Sequence, residues 1–350
     1  MVRSILVFAA VLGCAVPAAA EPQPIEVAPD KEWVHAPTGL RFPVRIGDTV
    51  RDRIVSYLAG DNNVGSTYFS AGDDEILSIY VYRSGSYDVS MMADAAIGAI
   101  SSNEMLGSID RDAGDFSTFG DAMIGEGSGV LDTFAVDGAY RSTGVALFRS
   151  GNWLIKLRLS SKTSDADTLE KRLTMLAAGL PLDPPVQKAP PAYRVPACAN
   201  VFPRPAAVPR NLDMTDLIIA TSAVSLSYDQ EASGTPATLS EEDTARLCRD
   251  GRSRPGRMLY RDGETGNPVA IVYGDSGTVA HVGPMSISLQ EGQSPAVIVS
   301  LGNGMRTQFY QGFETIPGFD QIFELLDKDQ VVAAVERTGE GSTITLSMPE

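Results

Sequence analysis

The chain has 350 residues, 43% hydrophobic and 21% charged, and a formal net charge of −16 at pH 7. That hydrophobic content excludes long-range disorder. So acidic a surface repels phosphate backbones and anionic lipid, which excludes nucleic acid and bilayer surfaces as partners.

In chain order, Arg3 supplies a positive start, residues 5–12 form a short apolar run, and Ala18-Ala19-Ala20 offer small residues ahead of Glu21. This pattern predicts a secretory signal peptide over residues 1–20, cleaved after Ala20. The apolar run falls short of the roughly 20 residues that a spanning helix needs. The expected address is the periplasm of a Gram-negative bacterium. A second reading of the same segment takes Val11-Leu12-Gly13-Cys14 as a lipobox, with Cys14 acylated and the domains tethered to a membrane. The remaining length suits two domains.

The first domain is expected over residues 25–182. Trp153, Ile155, Leu157 and Leu159 alternate with Leu154, Lys156 and Arg158, which predicts a strand with one buried face. Leu77, Ile79 and Val81 give a second strand, and residues 64–70, 131–140 and 144–150 are further candidates. Two segments read as helices. Ser90 is the expected cap of a helix over 91–106, and Ser164 opens another in which Leu169, Leu173, Leu176 and Leu180 share a stripe and Gly179 helps end the helix. Strands grouped with a few helices predict an α+β domain, an antiparallel sheet sandwiched by helices.

Three stretches here carry a likeness: Thr38-Gly39-Leu40-Arg41-Phe42-Pro43, Ser78-Ile79-Tyr80-Val81-Tyr82-Arg83, and Gly151-Asn152-Trp153-Leu154-Ile155-Lys156-Leu157-Arg158 ahead of the closing helix. In this order the domain resembles the PsbP-like α/β/α sandwich, named for an extrinsic subunit of photosystem II. The resemblance covers only the first domain. It implies a non-enzymatic accessory protein that binds other proteins, and it carries over no site residues.

Residues 183–211 contain eight prolines, at 184, 185, 190, 191, 196, 203, 205 and 209. Such a run favours extended conformations and predicts a semi-rigid linker. Once the leader is removed two cysteines remain, Cys198 and Cys248, which predict one structural disulfide pinning the linker to the second domain.

The second domain, residues 212–350, reads as mostly β. Strands are expected at 217–228, 257–260, 269–273, 285–289, 296–301, 305–310, 331–335 and 343–348, with hairpin turns at Asn303-Gly304 and Thr338-Gly339-Glu340-Gly341. Two helices are expected, one behind the capping box Thr238-Leu239-Ser240-Glu241 and reaching Cys248, the other at 319–326. Arg246, Arg249, Arg252, Arg254, Arg257 and Arg261 are expected to balance the adjacent Glu241-Glu242-Asp243 in a solvated turn.

Gly274-Asp275-Ser276-Gly277 resembles the nucleophile motif of chymotrypsin-like proteases, and more loosely that of the GDSL esterases. A serine nucleophile needs an imidazole to take its proton, and the chain holds only His35 and His281. His35 belongs to the other domain, His281 lies five residues away, and Thr278 replaces the second glycine of the protease motif. Both histidines are expected as packed or strand residues. Asp110, Asp112, Asp115 and Asp121 suggest a calcium loop, but Gly114 and Asp115 occupy each other's expected positions; Asp73-Asp74-Glu75 is a second acidic turn. Gly125-Glu126-Gly127-Ser128-Gly129 reads as a flexible loop rather than a phosphate cradle. The leading expectation is an exported, non-catalytic accessory protein without cofactors that binds a protein or envelope component. The alternatives are an exported serine hydrolase using Ser276 and a calcium-stabilised binding protein.

Overall fold

The computed structural model describes residues 22–121, 124–180, 188–232, 246–285, 295–338 and 341–347. The leader with Cys14, the box at 238–241, the acidic cluster 241–243 and the turn residues 339–340 lie outside them. The chain is α+β, with a mostly-β C-terminal region.

In the N-terminal lobe, β1 (Gln23–Pro24) leads to a separate hairpin of β2 (Trp33–His35) and β3 (Leu40–Phe42). Then follow β4 (Arg45–Ile46), β5 (Thr49–Leu58), β6 (Asn63–Phe69), β7 (Glu75–Tyr82), β8 (Asp115–Phe119), β9 (Gly129–Ala135), β10 (Ser142–Ser150) and β11 (Trp153–Ser161). They form one antiparallel sheet in the order β1-β5-β6-β7-β11-β10-β9-β8, with β4 beside β5. Helix α1 (Val89–Ser101) follows β7, and α2 (Ala166–Gly179) follows β11. Successive strand residues face opposite ways. Ala146, Phe148, Ile155, Leu157 and Leu159 therefore pack with Leu169 and Leu173 of α2. Val145, Leu147 and Leu154 turn toward α1 on the other face.

Both helix starts differ from expectation by a residue or two. Asp88 caps α1, its Oδ1 accepting from Met91 N at 3.0 Å, because Ser90 is buried and its Oγ accepts from Tyr193 N instead. The helix stops at Ser101, and Asn103 then accepts Met105 N to open a separate short turn, so residues 91–106 are not one helix. Asp165 caps α2, while Ser164 donates its hydroxyl to Glu75. Strand β9 ends at Ala135, short of the expected 140, because residues 137 and 138 turn back onto 105–108.

The C-terminal lobe comprises β12 (Pro209–Arg210), α3 (Met214–Ala232), β13 (Leu247–Arg249), β14 (Arg257–Asp262), β15 (Val269–Tyr273), β16 (Thr278–Pro284), β17 (Val297–Gly302), β18 (Arg306–Phe309), β19 (Gly312–Phe313), α4 (Phe319–Lys328), β20 (Ala333–Thr338) and β21 (Gly341–Leu346). The sheet runs β13-β14-β15-β16-β17-β18-β20-β21, and β19 links β12 to β17. Gly304 turns the β17–β18 hairpin at φ +79°, as its Asn-Gly signal requires. One face of the sheet packs on α4, where Ala280, Val282, Val297 and Val299 meet Phe319, Ile322 and Phe323.

Two expectations fail here. Residues 217–228 form α3, not a strand: Asp213 accepts from Asp216 N at 2.9 Å to start a helix, and Leu217, Thr221, Val224 and Tyr228 turn inward at helical spacing. Cys248 lies in β13 rather than at a helix end, where backbone pairing with Arg261 holds it. Of the expected strand at 285–289, Met285 lies outside any strand and the rest is outside the described residues.

The described part of the Pro-rich segment, residues 188–211, is a strap laid over both lobes. Ala189 N and Ala192 N donate to Ile124 O and Gly127 O of the first lobe at 3.0 and 2.8 Å. Cys198 N and Arg249 N then exchange bonds with Arg249 O and Pro196 O at 2.9 and 2.8 Å. The Cys198–Cys248 disulfide closes beside them, with Cα atoms 4.9 Å apart. Further along, the Ala207 backbone exchanges two hydrogen bonds with the Gln321 side chain of α4.

Candidate functional site

The two lobes meet along a seam that absorbs most of the candidate chemistry. Tyr82, Met92, Leu147 and Leu154 of the first lobe pack with Tyr260, Ala270, Val272 and Val279 of the second. Into this contact Lys156 projects from β11, 4% exposed, its Nζ bonding Asp275 Oδ2 at 2.7 Å and Asp275 O at 2.8 Å. The Tyr80 ring lies 4.8 Å away. Burial lowers the Lys156 pKa against the opposing pull of Asp275. For Asp275 burial works upward, yet the ammonium outweighs it and holds the carboxyl below its ordinary value.

The Gly274-Asp275-Ser276-Gly277 turn is thus a docking element. Gly277 O accepts from Gly85 N at 2.8 Å and from Ser84 Oγ at 3.1 Å. His281 Nε2 lies 3.0 Å from Gly85 O. His35 is fully buried, with Nδ1 2.7 Å from Thr38 Oγ1 and Nε2 2.9 Å from Asp61 O, its ring edge-on to Trp153. Burial lowers its pKa against the opposing pull of Asp61.

The arginines find other partners than the ones expected, because the strands they sit on face acids brought in by the fold. Arg249 bonds Asp94 at 2.6 Å and Asp112 at 2.9 Å across the seam, and Tyr260 Oη donates to Asp94 at 2.8 Å. Arg252 and the fully buried Arg261 share Asp250, whose carboxyl they hold well below the ordinary range despite its burial. Arg254 and Arg257 reach Asp327 of α4. Arg246 stacks on Tyr193 of the strap.

The acidic loops are similarly absorbed. Asp112 is taken by Arg249, Asp115 opens β8, Asp110 Oδ1 accepts from Asp112 N, and Glu75 pairs with Arg172. No group of three His, Cys, Asp or Glu among the described residues is placed to hold a metal ion. The 125–129 loop receives the strap, Ser128 Oγ donating to Gly125 O at 2.8 Å.

What the seam leaves open is more informative. The sheet face opposite α4 is covered by the first lobe over β14–β16 and by α3 over β20 and β21. Between these covers, among the described residues, lies a strip of β16 and β17 that is only partly roofed, with His281 reaching Gly85 O of the first lobe and Ile298 packing in the α3 cluster. It forms a groove of about 460 Å³ along α3. Ile218, Ser222 and Leu226 of α3 form one wall, with His281 and Ser300 on the floor and Ile298 and Phe309 beside them. His281 and Ser300 are cross-strand partners on the floor, while the rest of the lining is predominantly apolar. Leu226 is 61% exposed on the groove wall. The amino-acid pattern alone hides this groove, because the segment that forms its wall reads as a strand. The capping spacing of Asp213 and Asp216 is the signal that could reveal it.

No family profile matches the chain, and no curated protein matches it. A solved crystal structure of a protein from Bacteroides thetaiotaomicron VPI-5482 aligns over 71% of this chain and 88% of its own, at 10% identity and a TM-score of 0.24.

Proposed function

We propose that the chain is an exported, non-catalytic binding protein whose α3 groove takes an apolar envelope component with a polar end, an acyl chain being the simplest. The observation that carries this is the groove left over β16 and β17 among the described residues. A helix and a docked lobe flank it, and its volume falls within the roughly 300–1,000 Å³ of small-molecule sites. His281 and Ser300, cross-strand partners on its floor, supply polar character beside the apolar lining where a headgroup would be oriented.

The Cys198–Cys248 disulfide supports an oxidising compartment. Structural use of the Gly274–Gly277 turn supports a role without nucleophilic chemistry. On the same proposal the first lobe is a PsbP-like accessory fold, a reading that α1 and α2 support by packing on opposite sheet faces. The test uses 1-anilinonaphthalene-8-sulfonate and dodecanoate. The dye is expected to brighten with wild-type protein, to be displaced by dodecanoate, and to lose most of its signal with Ala223→Trp, which fills the groove from an exposed helix position. Equal brightening in the variant, or none in the wild type, refutes the assignment.

A further inference from the structure

The C-terminal sheet treats its two ends differently. At one end β13 is covered by the strap, through the Cys198 and Arg249 backbone bonds and the parallel bridge from Ala197 to Arg249. At the other end β21 is the last strand, with no partner beyond it among the described residues.

Its hydrogen-bond phase can be read from its neighbour. Ser347 N donates to Val332 O at 2.9 Å, so alternate residues 341, 343 and 345 face β20 and pair with 338, 336 and 334. The backbone groups of Ser342, Ile344 and Leu346 therefore point outward. The strand reads Gly-Ser-Thr-Ile-Thr-Leu, without a charge or a proline in a chain of net charge −16. Natural sheets commonly blunt such edges with lysine, proline or a bulge, and β21 has none of these.

We infer that β21 pairs antiparallel with β21 of a second copy, about a two-fold axis through Ile344. Ser342 of one copy then faces Leu346 of the other, and Ile344 meets its counterpart. A two-fold contact must be self-complementary, and an uncharged strand is the kind of surface through which two strongly acidic bodies can approach. Ile344, 43% exposed in the single chain, becomes covered by the pairing. The end strands of the first lobe's large sheet differ, as far as the described residues go: β1 has two residues, and β8 begins with Asp115 and ties Ser117 to Glu170 of α2. This inference does not depend on the groove.

Light scattering coupled to size exclusion, over a dilution series of the purified protein, tests it. Wild type and the control Met175→Lys, at a 66% exposed site on the other lobe, are expected to run as dimers at high concentration. Ile344→Lys, which sets two like charges face to face, is expected to run as a monomer with unchanged far-ultraviolet circular dichroism. A wild type that is monomeric at every concentration overturns the inference. So does a dimer that survives Ile344→Lys. A monomer that instead binds an unrelated protein's strand at this edge overturns it as well.

Discussion

Asp132 is the residue whose charge the fold opposes most plainly. Its side chain is 1% exposed, and Arg194 of the strap lies 3.5 Å from Oδ2. Burial, aided by Asp115 and Asp94 and opposed by Arg194, pushes its pKa up to about 7. An acid whose folded pKa is raised binds more protons folded than unfolded. Its stabilising contribution is complete below the ordinary carboxylate range and is lost as pH rises through 7. Asp132→Asn is therefore expected to be more stable than wild type at pH 8, by about 2 kcal/mol, each tenfold change in proton affinity being worth at most ~1.4 kcal/mol. The difference should vanish near pH 4. Chemical denaturation at the two pH values checks this, and a variant less stable than wild type at pH 8 contradicts it. Lys156 and Asp275 show the complementary case, a charge pair kept inside the seam in which the ammonium bonds both the carboxylate and the backbone carbonyl of Asp275.

Among the elements, the strap departs furthest from a simple spacer. Proline removes donors from its backbone, and five of the donors that remain, at Ala189, Ala192, Tyr193, Cys198 and Ala207, are satisfied by a lobe. The disulfide closes a loop with a sequence separation of 50. Cys198→Ser with Cys248→Ser is expected to lose about 4 kcal/mol in the chain-entropy description, read as a lower denaturation midpoint that added reductant does not lower further. An unchanged midpoint would mean the strap's hydrogen bonds alone hold the loop. Alternation makes β7 and β11 legible in the sequence, because each has a face whose burial demands period two. In α3 the β-branched residues Ile218, Ile219, Thr221 and Val224 obscure a helical stripe that packing against β20 and β21 enforces. Cap positions also slip, since tertiary partners engage Ser90 and Ser164 and leave the task to Asp88 and Asp165.

For the molecule as a whole, composition and cysteine count point to the disulfide, and the α+β class with a β-rich second half is legible from element order. The site is not, because it belongs to neither half alone. A turn that resembles a nucleophile motif is consumed in joining the lobes through Ser84, Gly85 and Lys156. In the arginine run Arg249 and Arg257 take acids from distant segments, Asp94 and Asp327, while Arg252 and Arg261 share Asp250 within the run. Sequence spacing carries no record of such partners until the chain has folded. Among the described residues a groove stays open over β16 and β17 beside α3, and the functional proposal rests there. A crystal structure of the protein grown with dodecanoate tests it most directly. The account predicts continuous ligand density along α3, with the carboxylate at His281 and Ser300. Density confined to other surfaces, or a groove holding only ordered water, would contradict it.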